Sequence, residues 1–589
     1  MMITDRKYQR IEITAGLIIL LFGLLFYAVW YSYHLFFTEQ MQLFLLTPEY
    51  FLTYLAKPGV IAQYLGDFLT GFYYLRGGGA IVITGNVFVL WLFVRLLSKL
   101  FSPEKPVLIL SLAPVIAVLA LHGNIFYSLS STLAIILAMA SLLLLFMVRR
   151  IIVRRLLGIV LLPLVYWAIG GTIILYAVLF VLHEILVSSQ RKLSTWIWAS
   201  LILLTGLLVP MLLKRIFLLT MEQAYLFPSA RLAETQGWLI VPSAVIILVV
   251  LGQYFIRHRS AFFLPFSELV LLLAFGTFAF YKNTDFNLEK VLSIDSELYF
   301  NHLDKAQQLA KKHQLKSSVG AYFYNLINSK MDCMPERLMD GFQTGTRGLF
   351  LPVDFQQNYI TITFSNEVYY HLGDVNASQH TALLGMIFSP NSKSSRLMRR
   401  LVQINIINGE YAVAGKYIKM LKKSMFHRKW AQSMESYLIN EERCTQTPWI
   451  MVKRKLRPIS EDLKTTNDHE KTLQLLLETN PKNKHAFDYL NCYYLFQKDI
   501  EKFAKLCMGQ NEVQLRQLPE IYQEAMLIYY MQNPAEEIRQ NLYIKPSVVN
   551  NFKAYIDAFE QYKGDGKVLQ NKFGKTYWFY YHYAILNNY

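Results

Sequence analysis

The chain has 589 residues, too long for one ordinary domain, and its formal net charge is +17. Such a charge would suit a nucleic-acid-binding protein, but the basic residues of the first half lie in short loops between long uncharged runs, which argues against that class. Loops rich in Lys and Arg between apolar runs are typical of a membrane protein.

The composition changes near residue 282. Uncharged apolar runs dominate residues 1–282, whereas charged residues are spread throughout 283–589. We therefore predict a multi-pass transmembrane domain over 1–282 and a soluble, mostly α-helical domain over 283–589. The four cysteines all lie in the second domain, and none has metal-binding spacing. The sequence indicates neither a metal nor a cofactor.

The first apolar run extends from Ile13 to Phe37, with 25 residues and no formal charge. That length suffices to cross a bilayer as a helix, and it is too long for the core of a signal peptide. The run follows Arg6, Lys7 and Arg10, whose charge favours a cytoplasmic N-terminus. We predict an uncleaved anchor in the inner membrane.

The loop 38–79 after this run is half-apolar, which is typical of helices lying along a membrane surface. Glu39 comes directly after the run, where a partly desolvated carboxylate is suited to proton abstraction. Asp67 and Arg76 follow in the same loop. Two acids and an arginine on the outer face could bind and process a phosphate-linked lipid.

Seven further apolar runs are predicted to enter the membrane: Ala80–Val94, Val107–Leu121, Ile125–Val148, Leu156–Leu182, Trp196–Leu213, Trp238–Ile256 and Phe262–Tyr281. The run 156–182 has 27 uncharged residues, which is long for one span and short for two. A turn at Gly170-Gly171 would give nine spans in total and place 283–589 outside the cytoplasm, whereas a single span would give eight and place it inside. We predict about nine spans.

The second half is predicted to form helix pairs joined by short turns. The pairs are 366–372 with 375–386, 396–407 with 411–422, and 486–496 with 500–507. Each helix is amphipathic, so stacked pairs would bury the apolar faces. The pattern resembles tetratricopeptide-type repeats, with Gly373 and Gly409 at tight turns 36 residues apart. The stretch Phe350–Phe364 is β-prone and is predicted to interrupt the repeats.

The layout of residues 13–281 resembles the GT-C class of membrane glycosyltransferases. In that class, the first span is followed by a long outer loop with an acidic residue at its start and helices at the membrane surface. The resemblance implies that Glu39 is the catalytic acid and that the donor is a polyprenyl-phosphate sugar. Asp67 is a second catalytic candidate because it is an acid in the same loop. Arg76 and Gln40 are the expected substrate-binding residues. Thr220-Met221-Glu222-Gln223 echoes Thr38-Glu39-Gln40, which makes Glu222 a further substrate-binding candidate.

The sequence therefore predicts an all-α protein with a transmembrane bundle and a tetratricopeptide-like domain. The favoured function is transfer of a lipid-linked sugar at the outer face. The alternative is a non-enzymatic, membrane-anchored scaffold that binds a protein partner through 283–589. A transporter is disfavoured because paired intramembrane charges are not apparent. Membrane lipid is an expected partner in each case, and nucleic acid is not.

Overall fold

The computed structural model describes residues 2–187, 193–228, 239–255, 264–353, 359–389, 392–458, 468–509, 517–534 and 542–585. All named elements in these ranges are helical, which confirms the all-α class. The chain forms two compact units, one comprising 1–289 and 422–428, the other 290–421 and 429–589. The domain boundary at residue 282 stays a prediction. The predicted span ends Trp238, Ile256 and Phe262 lie outside the described residues.

The described helices of the first unit are α1 (Met2–Leu25), α2 (Tyr33–Gln40), α3 (Pro48–Leu55), α4 (Val60–Thr70), α5 (Gly78–Phe101), α6 (Ala113–Leu121), α7 (Leu129–Phe146), α8 (Ile151–Val160), α9 (Leu162–Ile169), α10 (Ile173–Leu186), α11 (Leu193–Leu213), α12 (Met221–Leu226), α13 (Ile240–Phe255) and α14 (Leu264–Asn283). A π-helical turn extends α1 to Trp30, and the chain then breaks before α2. The first apolar run is therefore two helices, because Tyr31 leaves the helical conformation with φ −141°. Three short helices, α2 to α4, occupy the loop region. Their position along the membrane surface stays a prediction.

By length and composition alone, six helical segments of the described chain could cross a membrane: Arg6–Trp30, Gly78–Phe101, Leu129–Phe146, Leu162–Leu186, Leu193–Leu213 and Pro265–Asn283. The segment Leu162–Leu186 is not one straight helix, because Gly170–Thr172 divides it. Two shorter apolar helices cover Ile109–Leu121 and Ile240–Phe255. Large apolar side chains on these helices face outward, among them Ile18, whose side chain is 61% exposed. An apolar outer surface is what a lipid environment requires of a helix bundle.

The chain reverses direction within the predicted run 156–182. Arg155 and Glu184 form an ion pair of 2.7 Å, although they are 29 residues apart in the chain. A straight helix would separate them by about 43 Å at about 1.5 Å per residue. The turn lies at the end of α9. Gly170 there adopts φ +69° and ψ −142°, a backbone conformation that residues other than glycine rarely adopt. The predicted turn at Gly170-Gly171 is confirmed.

The first and the last apolar helix of this unit run in the same direction. Tyr8, near the start of α1, donates a hydrogen bond of 2.7 Å to Glu268, near the start of α14. Tyr31, just after the first helix, accepts one of 2.8 Å from the backbone N–H of Asp285, just after α14. The N-terminal end of α1 and residue 285 therefore lie at opposite ends of the helix bundle.

The second unit begins within α15 (Phe286–Tyr299). It continues with α16 (Leu303–His313), α17 (Ser318–Lys330), α18 (Met334–Arg337), α19 (Tyr359–Leu372), α20 (Val375–Phe388), α21 (Ser395–Asn408), α22 (Tyr411–Lys422), α23 (Arg428–Ile439), α24 (Glu441–Gln446), α25 (Pro448–Leu456), α26 (His469–Thr479), α27 (Lys484–Gln497), α28 (Ile500–Met508), α29 (Glu520–Gln532), α30 (Pro546–Gln561), α31 (Gly566–Phe573) and α32 (Tyr577–Tyr583). The predicted pairs are confirmed as α19–α20, α21–α22 and α27–α28. Their classification as tetratricopeptide-like stays a prediction.

The β-prone stretch Phe350–Phe364 is helical from Tyr359 onward, so that part of the prediction is wrong. Residues 354–358 lie outside the described residues. Ile360 and Phe364 are four residues apart and both buried, as is Ile362. Ile362 lies on the other side of the helix, so the helix is buried on more than one side. Burial of these apolar side chains outweighs the weak β-preference of the branched residues, which depends strongly on context.

A buried ion network joins three helices of the second unit. The Arg396 guanidinium donates to both carboxylate oxygens of Asp295, at 2.6 and 2.8 Å, and to Glu367 at 3.0 Å. Glu367 also accepts a hydrogen bond of 2.8 Å from Arg400. These contacts fix α15, α19 and α21 relative to one another, because a buried charge that loses its partner is costly.

Candidate functional site

Glu39 is buried near the end of α2, with 4% of its surface exposed. Its Oε1 lies 2.9 Å from Nε2 of His427. Its Oε2 is buried and has no hydrogen-bond partner among the described residues. A buried polar atom without a partner is unusual in a folded protein and requires an explanation.

His427 belongs to a short segment of the second half, Lys422–Arg428, that forms part of the first unit. The carbonyl of Lys423 accepts a hydrogen bond of 2.9 Å from the backbone N–H of Leu46. The ring of Phe426 stacks on Tyr74 at 5.3 Å and meets Phe72 edge-on at 5.5 Å. These contacts anchor the segment beside α2, where His427 reaches Glu39.

A narrow cavity lies between the loop helices and this segment. Its volume of about 20 Å³ leaves room for about one water molecule. The cavity is lined by Glu39, Gln42, Phe44, Leu46, Phe68, Gly71, Phe72, Ser424, Met425 and Phe426. Glu39 is the one charged side chain in this lining, and four of its neighbours are phenylalanines. Glu39 therefore lines a small cavity that is rich in phenylalanine.

The N-terminus of α2 is held by a second buried acid. Glu289 accepts hydrogen bonds from the backbone N–H groups of Tyr33, at 2.6 Å, and His34, at 3.0 Å. Negative charge at a helix N-terminus is favourable because the first N–H groups have no partner in the helix. The His34 ring also lies 3.0 Å from the carbonyl of His122. Both contacts fix the helix that presents Glu39.

Asp67 is buried in α4, but it does not line the Glu39 cavity. Its carboxylate accepts a hydrogen bond of 2.7 Å from the hydroxyl of Tyr54 in α3. Its backbone carbonyl accepts one of 3.1 Å from the Gln42 side chain, whose own backbone N–H donates to the carbonyl of Glu39. The two predicted acids are thus connected through Gln42, and Asp67 holds α3 against α4.

The predicted substrate-binding residues are dispersed. Gln40 is buried next to Glu39 in the chain, whereas Arg76 and Glu222 are exposed, and none of the three lines the cavity. The Thr220 hydroxyl accepts a hydrogen bond from the backbone N–H of Gln223, and the Gln223 side chain accepts one from the backbone N–H of Thr220. The motif containing Glu222 is therefore a capping box of α12. Thr38 lies instead near the end of α2 and donates to the carbonyl of His34, so the two similar motifs have different structural roles.

Sequence reasoning missed His427 and the cations that flank it. The segment also contains three basic residues near the buried histidine in the sequence: Lys422, Lys423 and Arg428. Arg428 donates a hydrogen bond of 3.0 Å to the carbonyl of Lys422. His427 is 388 residues from Glu39, and no local pattern marks it. The one available signal was the run of basic and aromatic residues from Lys422 to Arg428.

These features define an all-helical protein with several helices able to cross a membrane and a buried Glu–His pair beside them. The chain belongs to DUF6057, a family of unknown function, whose model matches residues 6–584. No curated protein and no solved structure matches the chain. Within the described residues, no group of three or more His, Cys, Asp or Glu side chains could hold a metal ion.

Proposed function

We propose that this protein is a GT-C-like glycosyltransferase of the inner membrane that uses a polyprenyl-phosphate-linked sugar at the outer face. The observation that carries the proposal is the buried Glu39, which lines the cavity, with one oxygen held by His427 and the other without a hydrogen-bond partner among the described residues. An oriented carboxylate with a free oxygen is suited to accept a proton from a substrate hydroxyl. The three short helices of the loop supply the layout that the GT-C resemblance requires.

In the proposed reaction, the acceptor hydroxyl attacks the anomeric carbon of the donor sugar. The new glycosidic C–O bond forms as the bond to the phosphate oxygen breaks, and that oxygen keeps the electron pair. Glu39 takes the proton of the hydroxyl. His427 acts as a positioning residue, because its hydrogen bond to Oε1 fixes the orientation of the carboxylate.

The departing lipid phosphate is an anion, and cations near Glu39 would stabilise it. Lys422, Lys423 and Arg428 belong to the segment that also carries His427, and we propose that they share this role with Arg76. The cavity holds about one water molecule, so binding of a sugar requires that this segment or the loop helices move apart. Gln40 and Glu222 are kept as substrate-binding candidates.

The proposed topology has nine spans, with a cytoplasmic N-terminus and the second half outside. The parallel directions of α1 and α14 support it. Successive spans alternate in direction, so a first and a last span that run the same way require an odd total number of spans. The reversal at Gly170-Gly171 supports it too, since α8–α9 and α10 then count as two segments. His34 contacts Glu289 after the last apolar helix, so Glu39 shares the end of the bundle with the start of the second half.

The test is turnover by the purified full-length protein in lipid nanodiscs. A panel of polyprenyl-phosphate hexoses would be supplied with envelope glycans as acceptors, and release of polyprenyl phosphate would be measured. We expect Glu39→Gln to lower the rate about 100-fold or more, because it keeps the shape and removes the base. Glu49→Gln in the same loop is the matched control, since Glu49 is exposed. Full activity of the Glu39→Gln variant, or no turnover of the panel by the wild type, would contradict the proposal.

The alternative is a membrane-anchored scaffold, and the stacked pairs α19–α20 and α21–α22 favour it. Helix pairs of this kind form extended surfaces that bind proteins. Cross-linking of the full-length protein in cells distinguishes the two functions. A scaffold would keep its cross-linked partner and its phenotype in the Glu39→Gln variant, whereas a transferase would lose the phenotype.

A further inference from the structure

A cleft in the second unit has the size of a small-molecule site. It encloses about 480 Å³ between the end of α16, the start of α17, the turn at 340–342 and Lys575. Small-molecule sites typically have volumes of roughly 300–1,000 Å³. A stable protein partner would instead need a surface of about 800 Å² on each side. The dimensions therefore favour a small ligand.

The cleft carries an excess of positive charge. Lys311, Lys316 and Lys575 line it together with one acid, Asp340. Lys575 is paired with Asp340 at 3.0 Å, whereas Lys311 and Lys316 form no ion pair with any residue that the structure describes. The start of α17 also borders the cleft, and a helix N-terminus adds partial positive charge. These groups would attract an anion.

Two aromatic residues form an apolar part of the cleft wall. Phe342, which is 47% exposed, and Tyr324 both line the cleft. Tyr324 is fixed by a hydrogen bond of 3.2 Å from its hydroxyl to the carbonyl of Arg337. The turn packs closely on that ring, because a side chain at Gly341 would lie 2.7 Å from Tyr324 Cε1. The wall is therefore preformed, and the ring of Phe342 is available to stack on a ligand.

We propose that this cleft binds a small ring-bearing anion, whose phosphate or carboxylate group contacts Lys311 and Lys316 and whose ring packs on Phe342. The proposal is independent of Glu39 and of sugar transfer, since it uses residues of the second unit alone. Phosphorylated sugars, acidic sugars and nucleotides share this chemistry. Inorganic phosphate has the charge without the ring, and a neutral sugar has the ring without the charge.

The test is calorimetric titration of the purified full-length protein with glucose 6-phosphate, glucuronate, AMP, glucose and inorganic phosphate. We expect at least one ring-bearing anion to bind about 10-fold or more tightly than both glucose and inorganic phosphate. Lys311→Ala with Lys316→Ala should weaken that binding about 10-fold or more. Phe342→Ala should weaken binding of the ring-bearing anion and leave that of inorganic phosphate unchanged.

The matched control replaces Lys416 and Lys419 by Ala, since both are exposed lysines of α22 that do not line the cleft. This variant should bind as the wild type does. Equal weakening in the control would show diffuse charge attraction and would overturn the proposal. Equal affinity for glucose, equal affinity for inorganic phosphate, or the absence of binding by all three ring-bearing anions would overturn it as well.

Discussion

His427 lies 2.9 Å from Glu39, although 388 residues separate them in the chain. Because Glu39 is buried and its second oxygen has no described partner, this contact is the main compensation for burying the carboxylate. The candidate site is therefore complete only when the segment 422–428 joins the first half of the chain. A protein truncated after residue 282 would lack part of the site.

The pairing of Glu39 with His427 predicts non-additive effects on stability. His427→Ala leaves a buried carboxylate with neither oxygen paired, which costs about 1–3 kcal/mol. Combining Glu39→Gln with His427→Ala should lower the unfolding temperature by less than the sum of the two single shifts, because the double variant no longer buries an unpaired carboxylate. Thermal unfolding of the four proteins in detergent measures this. Strictly additive shifts would mean that the two side chains do not interact.

His427 is also predicted to affect catalysis through Glu39. If it only positions the carboxylate, His427→Ala should lower kcat and leave KM for the lipid-linked sugar nearly unchanged. His427→Gln can still donate a hydrogen bond and should recover part of the rate. A rise in KM alone, with no recovery by Gln, would assign His427 to substrate binding instead.

Gly171 is predicted to tolerate no side chain. A Cβ at this position would lie 1.8 Å from the carbonyl oxygen of Tyr225, so the backbone would have to shift. We expect Gly171→Ala to destabilise the protein by about 3 kcal/mol or more. Gly85 in α5 is the control, because a Cβ there meets nothing within 4 Å. Yield and unfolding temperature should fall for Gly171→Ala and stay near those of the wild type for Gly85→Ala. Equal yields and unfolding temperatures for the two variants would refute the close packing at the turn.

Lys453 is predicted to make stability depend on pH. Burial, reinforced by the charges of Lys330 and Arg400, lowers the pKa of Lys453 from 10.5 to about 7. Between these values the unfolded chain binds the proton and the folded protein does not, so this group makes stability rise with pH from about 7 to 10.5. Below about 7 both states are charged, and the full penalty of burying the ammonium remains.

Replacing Lys453 isolates this contribution. Lys453→Met should flatten the rise of the unfolding temperature between pH 7 and pH 9 relative to the wild type, measured by thermal scans across that range. Lys416→Met is the control, because Lys416 is exposed on α22 and should leave the pH dependence unchanged. An identical slope in wild type and Lys453→Met would show that Lys453 titrates normally.

Structural features that depend on neighbouring residues could be predicted from the sequence, whereas features that depend on contacts between distant residues could not. The turn at Gly170-Gly171 and the turns at Gly373 and Gly409 were found because each depends on a glycine with positive φ. The helix from Tyr359 was missed because burial of its apolar face decides its structure, and residue propensity alone pointed to a strand.

The same distinction explains the site. Glu39 was recognised from its position after an apolar run, which is a local property. Its partner His427 depends on a contact between distant parts of the chain, and periodicity carries no information on such contacts. Asp67 was predicted beside Glu39 from proximity in the loop, but its carboxylate is bound by Tyr54 on a neighbouring helix.

Transfer at the outer face requires that Glu39 and the second half of the chain lie on the non-cytoplasmic side of the membrane. The most direct measurement compares fusions of alkaline phosphatase and green fluorescent protein after Tyr589, with matching fusions before Met1. The nine-span topology predicts an active phosphatase and a dark fluorescent protein at the C-terminus, and the reverse at the N-terminus. A fluorescent C-terminal fusion with an inactive phosphatase would place the second half in the cytoplasm and contradict transfer at the outer face.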